Sequence, residues 1–499
     1  MADFESITQT AYGKIEGREV GDQYRYLGIP YAKPPVGALR FKRAEKPEAW
    51  ENTIACKQFG ADPIQFPTDK QLKFLNQSDT KQSEDCLTLN IWAPKKAQKA
   101  PVFVFIYGGS NHTGRTSDPR YSLEKFPADG VIGVSFNYRL GPLGFYDFSN
   151  LDSTFDSNCG VSDWLQALTW IKENIENFGG DPENITLCGE SAGGTAVYTL
   201  LSMPKAQGLF QKAIAMSGQP GNVNGARTQE LNQQIFFDTL GVVPNEVAKL
   251  QDLPVEKLIP AGSAVLAQHN QKNPGIFAPG VVLDDLVPKR PAEALAAGAA
   301  AKVKCIFGTC RDEGTLFYWL DMLPKSWKAV DQMLKNNQRI AIIPQLRNLY
   351  GVLPEKKAME ALGRDRYFWA DTVNCTLAQS QHATVWAYRY DFEVLNQKLT
   401  GLGAVHGSDV VPALGTSSLT KNPVSEKIPN PRQLKMEHDL HRAWVNFAKQ
   451  GTPNGNLNPK WPAYDQKERT TYLFDVKGEL VNDPNHDFLE VWQGIAFYE

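Results

Sequence analysis

Ile185-Thr186-Leu187-Cys188-Gly189-Glu190-Ser191-Ala192-Gly193-Gly194 is the stretch on which the reading of this chain turns. Ile185 to Cys188 is a short apolar run. It feeds into Gly189-Glu190-Ser191-Ala192-Gly193, which fits Gly-x-Ser-x-Gly, the pattern of a strand-to-helix turn that presents a nucleophilic serine. Small residues are needed because side chains flanking so tight a turn collide with the neighbouring strand and helix. Thr195 to Leu201 then supplies a helix whose N-terminus lies behind the serine. Glycine and serine are common, so the pentapeptide alone is also compatible with an ordinary turn. The strand before it and the helix after it give it meaning.

Outward from this turn, five other runs share its texture. Val102 to Tyr107, Val131 to Tyr138, Ala213 to Ser217, Val303 to Gly308 and Val385 to Tyr390 join Ile185 to Gly189 as six candidate strands, mostly too uniformly apolar to have a wet face. Val161 to Phe178 places Leu165, Leu168, Ile171, Ile175 and Phe178 three and four residues apart, which predicts an amphipathic crossover helix ending at Gly179-Gly180. Strands joined by helices imply a parallel or mixed sheet. Such sheets bind ligands at the carboxyl ends of their strands, where Ser191 stands. The first hundred residues read as an antiparallel β region, with Tyr12 to Gly17 and Tyr24 to Tyr31 as short β-prone runs and Leu87 to Trp92 as a half-buried strand. Pro220 to Ala300 and the helical stretch Ser326 to Ala383 are insertions of the kind that build a pocket or pack as surface helices. With no internal repeat and no linker, residues 1–499 read as one domain.

A serine hydroxyl is a poor nucleophile unless a base lies within hydrogen-bond reach and an acid orients that base. Among seven histidines, His406 lies in the glycine-rich loop Gly401 to Asp409, which suits an active-site loop. His438 and His441 fall on a predicted helix, Gln433 to Gln450, as surface or core residues. The acid belongs between serine and histidine in chain order, and Asp312-Glu313 follows the Val303 to Gly308 strand. Spacing does not choose between the two carboxylates. Tyr107-Gly108-Gly109-Ser110 follows an earlier strand in the position of an oxyanion loop, so the amides of Gly109, Ser110 and Ala192 form a candidate three-donor hole.

Composition bounds the rest. Of 499 residues, 42% are hydrophobic and 21% charged, the balance of an ordinary globular protein. A net charge of −3 with no recurring basic cluster argues against a nucleic-acid surface. No window approaches about eighteen uninterrupted apolar residues, so no transmembrane segment is expected. The N-terminus lacks the basic and apolar regions of a secretory signal, which reads as cytoplasmic, or as secreted if a leader has been removed. The seven cysteines form no C-x-x-C pair, so zinc is not expected. The Asn76 sequon lies in a polar loop, whereas those at Asn111 and Asn184 fall where packed backbone is needed.

Taken together, Gly28-Ile29-Pro30-Tyr31-Ala32, Ser83-Glu84-Asp85-Cys86-Leu87, Asn137-Tyr138-Arg139, Phe178-Gly179-Gly180-Asp181-Pro182, Gly189 to Gly194, Asp312-Glu313-Gly314 and His406-Gly407 resemble the type-B carboxylesterase/lipase family nearly end to end. The resemblance implies an α/β-hydrolase fold: a large, mostly parallel central sheet flanked by helices, with a small N-terminal antiparallel β region. It implies Ser191 as nucleophile, His406 as general base and Glu313 rather than Asp312 as the acid, with Glu190, Ser217 and Asp409 supporting them. It also implies a Cys56–Cys86 disulfide, worth about 3 to 4 kcal/mol in an oxidising compartment.

Three departures matter. Ser110 stands where relatives have glycine or alanine, and Asn111 and His112 follow where an aromatic residue is common, so a more polar pocket mouth is expected. Trp164 replaces a common glutamine. The Cys56 to Cys86 loop carries Phe59, Phe66 and Phe74 but no tryptophan or tyrosine, which disfavours a choline ester. The expected activity is a carboxylic-ester hydrolase acting on a small or medium, polar ester, with no metal or organic cofactor and the oligomeric state left open. A lyase or acyltransferase using the same serine and histidine, and a non-catalytic binding protein, are the alternatives.

Overall fold

In the computed structural model, which describes residues 6–72, 80–273, 277, 279–419, 430–455, 457–492 and 495, all six apolar runs are strands of one sheet. Its strands are β1 (Arg18–Val20), β2 (Gln23–Pro30), β3 (Thr88–Pro94), β4 (Ala100–Ile106), β5 (Ile132–Phe136), β6 (Gly180–Glu190), β7 (Lys212–Met216), β8 (Lys304–Cys310), β9 (Val385–Tyr390), β10 (Thr470–Phe474) and β11 (Glu479–Asn482). They lie in the order β11-β10-β9-β8-β7-β6-β4-β5-β3-β2-β1. From β10 to β5 every pairing is parallel. Antiparallel pairs close both edges. Every residue of β5 and β7 is buried, because helices cover a parallel sheet, and this produces unbroken apolar runs instead of alternation.

The N-terminal region is antiparallel β structure, as expected, but its strands divide between two sheets. Only Ile7–Thr10, Gly13–Glu16 and Ile54–Ala55 make a separate small sheet. The Tyr24 to Tyr31 run instead supplies β2, which pairs with β3 and extends the main sheet. Leu89 to Ala93 in β3 is therefore buried throughout, not half-buried. The strands β10 and β11 were not among the six candidates.

The crossover helix spans Cys159–Asn174 and tightens into a 3-10 turn through Phe178, and Gly179 ends it at φ 80°. Within it, Trp164 is buried against the rings of Tyr138 (5.6 Å) and Phe145 (5.4 Å), so its departure from relatives is a matter of core packing. The stretch from Ser326 to Ala383 is helical, as expected. Its buried Leu334, Leu346, Tyr350 and Phe368 form an apolar cluster that also takes in Phe277 and Phe317.

The disulfide is a correction. Cys56 and Cys86 are both free thiols and both buried. Burial pushes the Cys56 thiol up to about 12 and the Cys86 thiol higher still, with the carboxylate of Asp163 adding to the effect at Cys86. Disulfide formation needs a thiolate with access, and these two behave as small apolar core groups. Phe74 and the sequon at Asn76 lie outside the described residues. Among the described residues, no helix is long and apolar enough to cross a membrane.

Candidate active site

Ser191 sits between β6 and the helix Ala192–Ser202 with φ 57° and ψ −120°, a conformation that costs about 1–3 kcal/mol for a residue with a side chain. Its surroundings hold it there. The Ser191 N–H donates to Met216 O on β7 (2.9 Å), and its carbonyl accepts from Thr195 N–H (2.9 Å). Gly193 is needed because a Cβ there would run into the carbonyl of Ile106 at the end of β4. With both backbone groups engaged, the residue is left lining a small cavity together with Ser110, Asn111 and Ala192.

β4 lies next to β6, so the loop after β4 comes up beside the serine. Gly109 (φ 126°), Ser110 (φ 58°) and Asn111 (φ 57°) all adopt left-handed backbone. This turn points the Gly109 carbonyl inward, where it accepts from the amides of His112 (3.1 Å) and Thr113 (3.0 Å). The amides of Gly109 and Ser110 donate to no acceptor among the described residues, and nor does that of Ala192 at the start of its helix. Of these residues, Ser110 and Ala192 line the same cavity as Ser191, and Ala192 stands at the positive end of its helix.

Glu313 and His406 come from segments that follow strands further along the sheet. Glu313 follows β8 and is fully buried. Its Oε1 accepts from Ser217 Oγ–H (2.5 Å) and Cys310 N–H (2.7 Å), and its Oε2 meets His406 Nδ1 at 2.5 Å. His406 packs against the rings of Phe317 (4.8 Å) and Phe368 (4.9 Å), which also touch each other (5.2 Å). With Nδ1–H donated to Glu313, neutral His406 carries its lone pair on Nε2. That atom is buried without a hydrogen bond among the described residues, 3.3 Å from Glu190 Oε1. The serine-to-histidine hydrogen bond is thus not formed in this conformation, as is common before substrate arrives.

Asp312 turns the other way. It pairs with Arg311 (2.8 Å) and accepts from Ala404 N–H (2.9 Å), which pins the loop that carries His406. Of the two carboxylates that spacing left open, Glu313 is the one whose side chain meets the imidazole.

Four ionisable groups share this dry region. Burial opposes charge on His406, but the carboxylates of Glu313 and Glu190 outweigh it and lift the imidazole to about 9. Burial raises Glu190 to about 7 and Asp409 to about 6, although His406 favours the anion of each. Asp409 is fully buried and accepts from Tyr388 O–H (2.7 Å).

His112 is displaced from its expected place at the pocket mouth. It is fully buried, its Nδ1 lies 3.2 Å from Phe66 O, and burial lowers it to about 4. Asn111 and Ser110 do line the cavity, together with Thr195, Gln219, Asn222, Phe277, Pro279, Phe317 and Met322. Phe277 and Asn222 escaped the sequence reading because they come from an irregular insertion that carries no motif, and Phe317 because it lies on the helix Glu313–Trp319, one turn beyond the carboxylate motif. His438 is exposed, and His441 is buried against Ala413 O (2.9 Å), so both stay out of the site.

A sequence profile of the carboxylesterase family matches residues 5–492. Para-nitrobenzyl esterase of Bacillus subtilis (strain 168) is 35% identical over 485 residues, covering 96% of this chain and 97% of the relative. Phenmedipham hydrolase of Pseudarthrobacter oxydans is 30% identical over 509 residues, covering 96% and 98%. Among solved structures, a thermophilic PNB esterase superposes with a TM-score of 0.90 at 34% identity, covering 98% of this chain and all of the other. With a large mixed sheet flanked by helices and a family match along nearly its whole length, this chain belongs to the carboxylesterase family and is a carboxylic-ester hydrolase with the α/β-hydrolase fold.

Proposed function

We propose that the chain hydrolyses small or medium carboxylic esters through Ser191, His406 and Glu313, by way of an acyl-enzyme, with residues 1–499 acting as one catalytic domain. Ser191 Oγ attacks the ester carbonyl while His406 Nε2 takes its proton. The carbonyl oxygen gains negative charge and is held by the amides of Gly109, Ser110 and Ala192, each worth about 2.7 to 4 kcal/mol to the barrier. His406 returns the proton to the leaving alcohol. Water then gives a proton to His406 and its oxygen to the acyl carbon, which releases the acid and restores Ser191. Glu313 keeps the imidazole in the tautomer with its lone pair on Nε2 and balances the charge of the imidazolium. Ser217 holds Glu313 from behind, and Glu190 and Asp409 add negative charge around His406.

The observation that supports this reading is the 2.5 Å bond between Glu313 and His406, with His406 Nε2 lying 3.3 Å from Glu190, the residue before Ser191. The names of the relatives point to several different substrates and assign none to this chain. The test is Ser191→Ala with p-nitrophenyl acetate. Turnover is expected to fall by a factor of about ten thousand or more. Undiminished release of p-nitrophenol refutes the reading.

A further inference from the structure

A second cavity, of about 530 Å³, lies beside the β1 edge of the main sheet and shares no described lining residue with the cavity at Ser191. Its size falls in the range of about 300 to 1,000 Å³ usual for small-molecule sites. Arg18 of β1, Leu27 of β2, the run that holds Lys57, Phe59 and Ala61, and Lys81 supply its walls.

Close backbone approach builds these walls. Leu27 N–H donates to Cys56 O (2.8 Å), and Leu27 forms an isolated parallel bridge with Lys57. Gly28 has φ 78°, and a Cβ there would come within 2.7 Å of Gln58 O, so glycine is what lets β2 meet the run from 57 to 61. Asp62 N–H donates to Lys81 O (3.0 Å) and Asp62 bridges to Gln82, which brings Lys81 alongside the same run.

The charge on this cavity has one sign. Lys57 pairs with Glu16 (2.7 Å). The side chains of Arg18 and Lys81 are exposed and have no ion pair or hydrogen bond among the described residues. None of the described lining residues is acidic, although the chain as a whole carries a net charge of −3. A cleft lined by one sign of charge concentrates the opposite ion and repels its own. Leu27, Phe59 and Ala61 are half-buried, with Phe59 backed by Trp92 (6.4 Å), and they offer surface to an apolar body. An inorganic anion leaves that surface wet, and a neutral molecule leaves two cations uncompensated.

We infer that this cavity binds an organic carboxylate, its anionic head on Arg18 and Lys81 and its apolar chain against Leu27, Phe59 and Ala61. A guanidinium presents two parallel N–H groups to a carboxylate, and an ammonium adds a point charge. The acids that a carboxylic-ester hydrolase releases have this chemistry.

The test is calorimetric titration of octanoate, and of octanamide as its neutral analogue, into the wild-type protein and into Arg18→Gln, Lys81→Gln and the double variant. Octanoate is expected to bind with a Kd of about 1 mM or tighter, and about tenfold or more ahead of octanamide. Each single variant should weaken octanoate by about threefold and the double variant by about tenfold. Hydrolysis of p-nitrophenyl butyrate should stay unchanged in all three, since neither residue lines the cavity at Ser191, and this also shows that they fold. Failure of octanoate to bind, or equal binding of octanamide, overturns the inference. So does an affinity that the double variant leaves intact, which places octanoate elsewhere, or inorganic phosphate binding as tightly as octanoate, which leaves only a charged patch.

Discussion

Replacing Glu313 by glutamine changes one atom, and what lies on the far side of the carboxylate decides the outcome. Glu313 Oε1 accepts from the Cys310 N–H (2.7 Å) and the Ser217 hydroxyl (2.5 Å). A backbone N–H can only donate, so the glutamine oxygen has to stay on that side. Its NH2 group then faces His406 Nδ1, which the carboxylate now meets at 2.5 Å. Two donors cannot share that contact, and His406 responds by moving its proton to Nε2. An Nε2–H cannot accept the proton of Ser191, so the base is lost although nothing has been removed. The opposite amide orientation leaves the buried Cys310 N–H unpaired, at about 1–3 kcal/mol. The wrong tautomer is expected to lower kcat by about ten-thousand-fold, or roughly 5 kcal/mol of barrier. KM should change little, because Glu313 does not line the cavity. The assay is p-nitrophenyl butyrate turnover on protein whose folding is checked by circular dichroism. A folded Glu313→Gln protein within about tenfold of wild type refutes the reasoning.

Glu190 is expected to act on His406 through charge. The imidazole must be neutral to accept a proton, and its value of about 9 places the acid limb of kcat/KM on the alkaline side. Glu190→Gln removes a carboxylate 3.3 Å from Nε2, so imidazolium becomes less favourable and the limb moves to lower pH; a pH–rate profile with no shift or an upward one contradicts this. Since Cys56 and Cys86 are free thiols, melting curves with and without dithiothreitol should superimpose, and a drop of several degrees on reduction would restore the disulfide.

Much of the fold is legible in the chain because a parallel sheet covered by helices demands apolar side chains on both faces of its strands. That demand shows as six uninterrupted runs. It fails for β2 and β10, where Gln23–Pro30 and Thr470–Phe474 mix polar, β-branched and aromatic residues that suit many settings. The disulfide expectation failed for a different reason. Two cysteines of a given spacing pack equally well as buried thiols, and the chain does not record which happened.

The sequence by itself determined the serine turn and the strands around it, since both follow from sterics acting over a few residues. A Cβ at Gly193 collides with the next strand whatever the rest of the chain does, and so the elbow is written locally. Only the tertiary structure decided which of two adjacent carboxylates holds His406, that His112 is buried away from the pocket, and that Asn111 and Asn222 line one cavity. Glu313 and His406 are separated by 93 residues, and their contact depends on how β8 and β9 align and on how Asp312 anchors the intervening loop. Orientation at that range is a property of packing, which no spacing of residue types along the chain specifies.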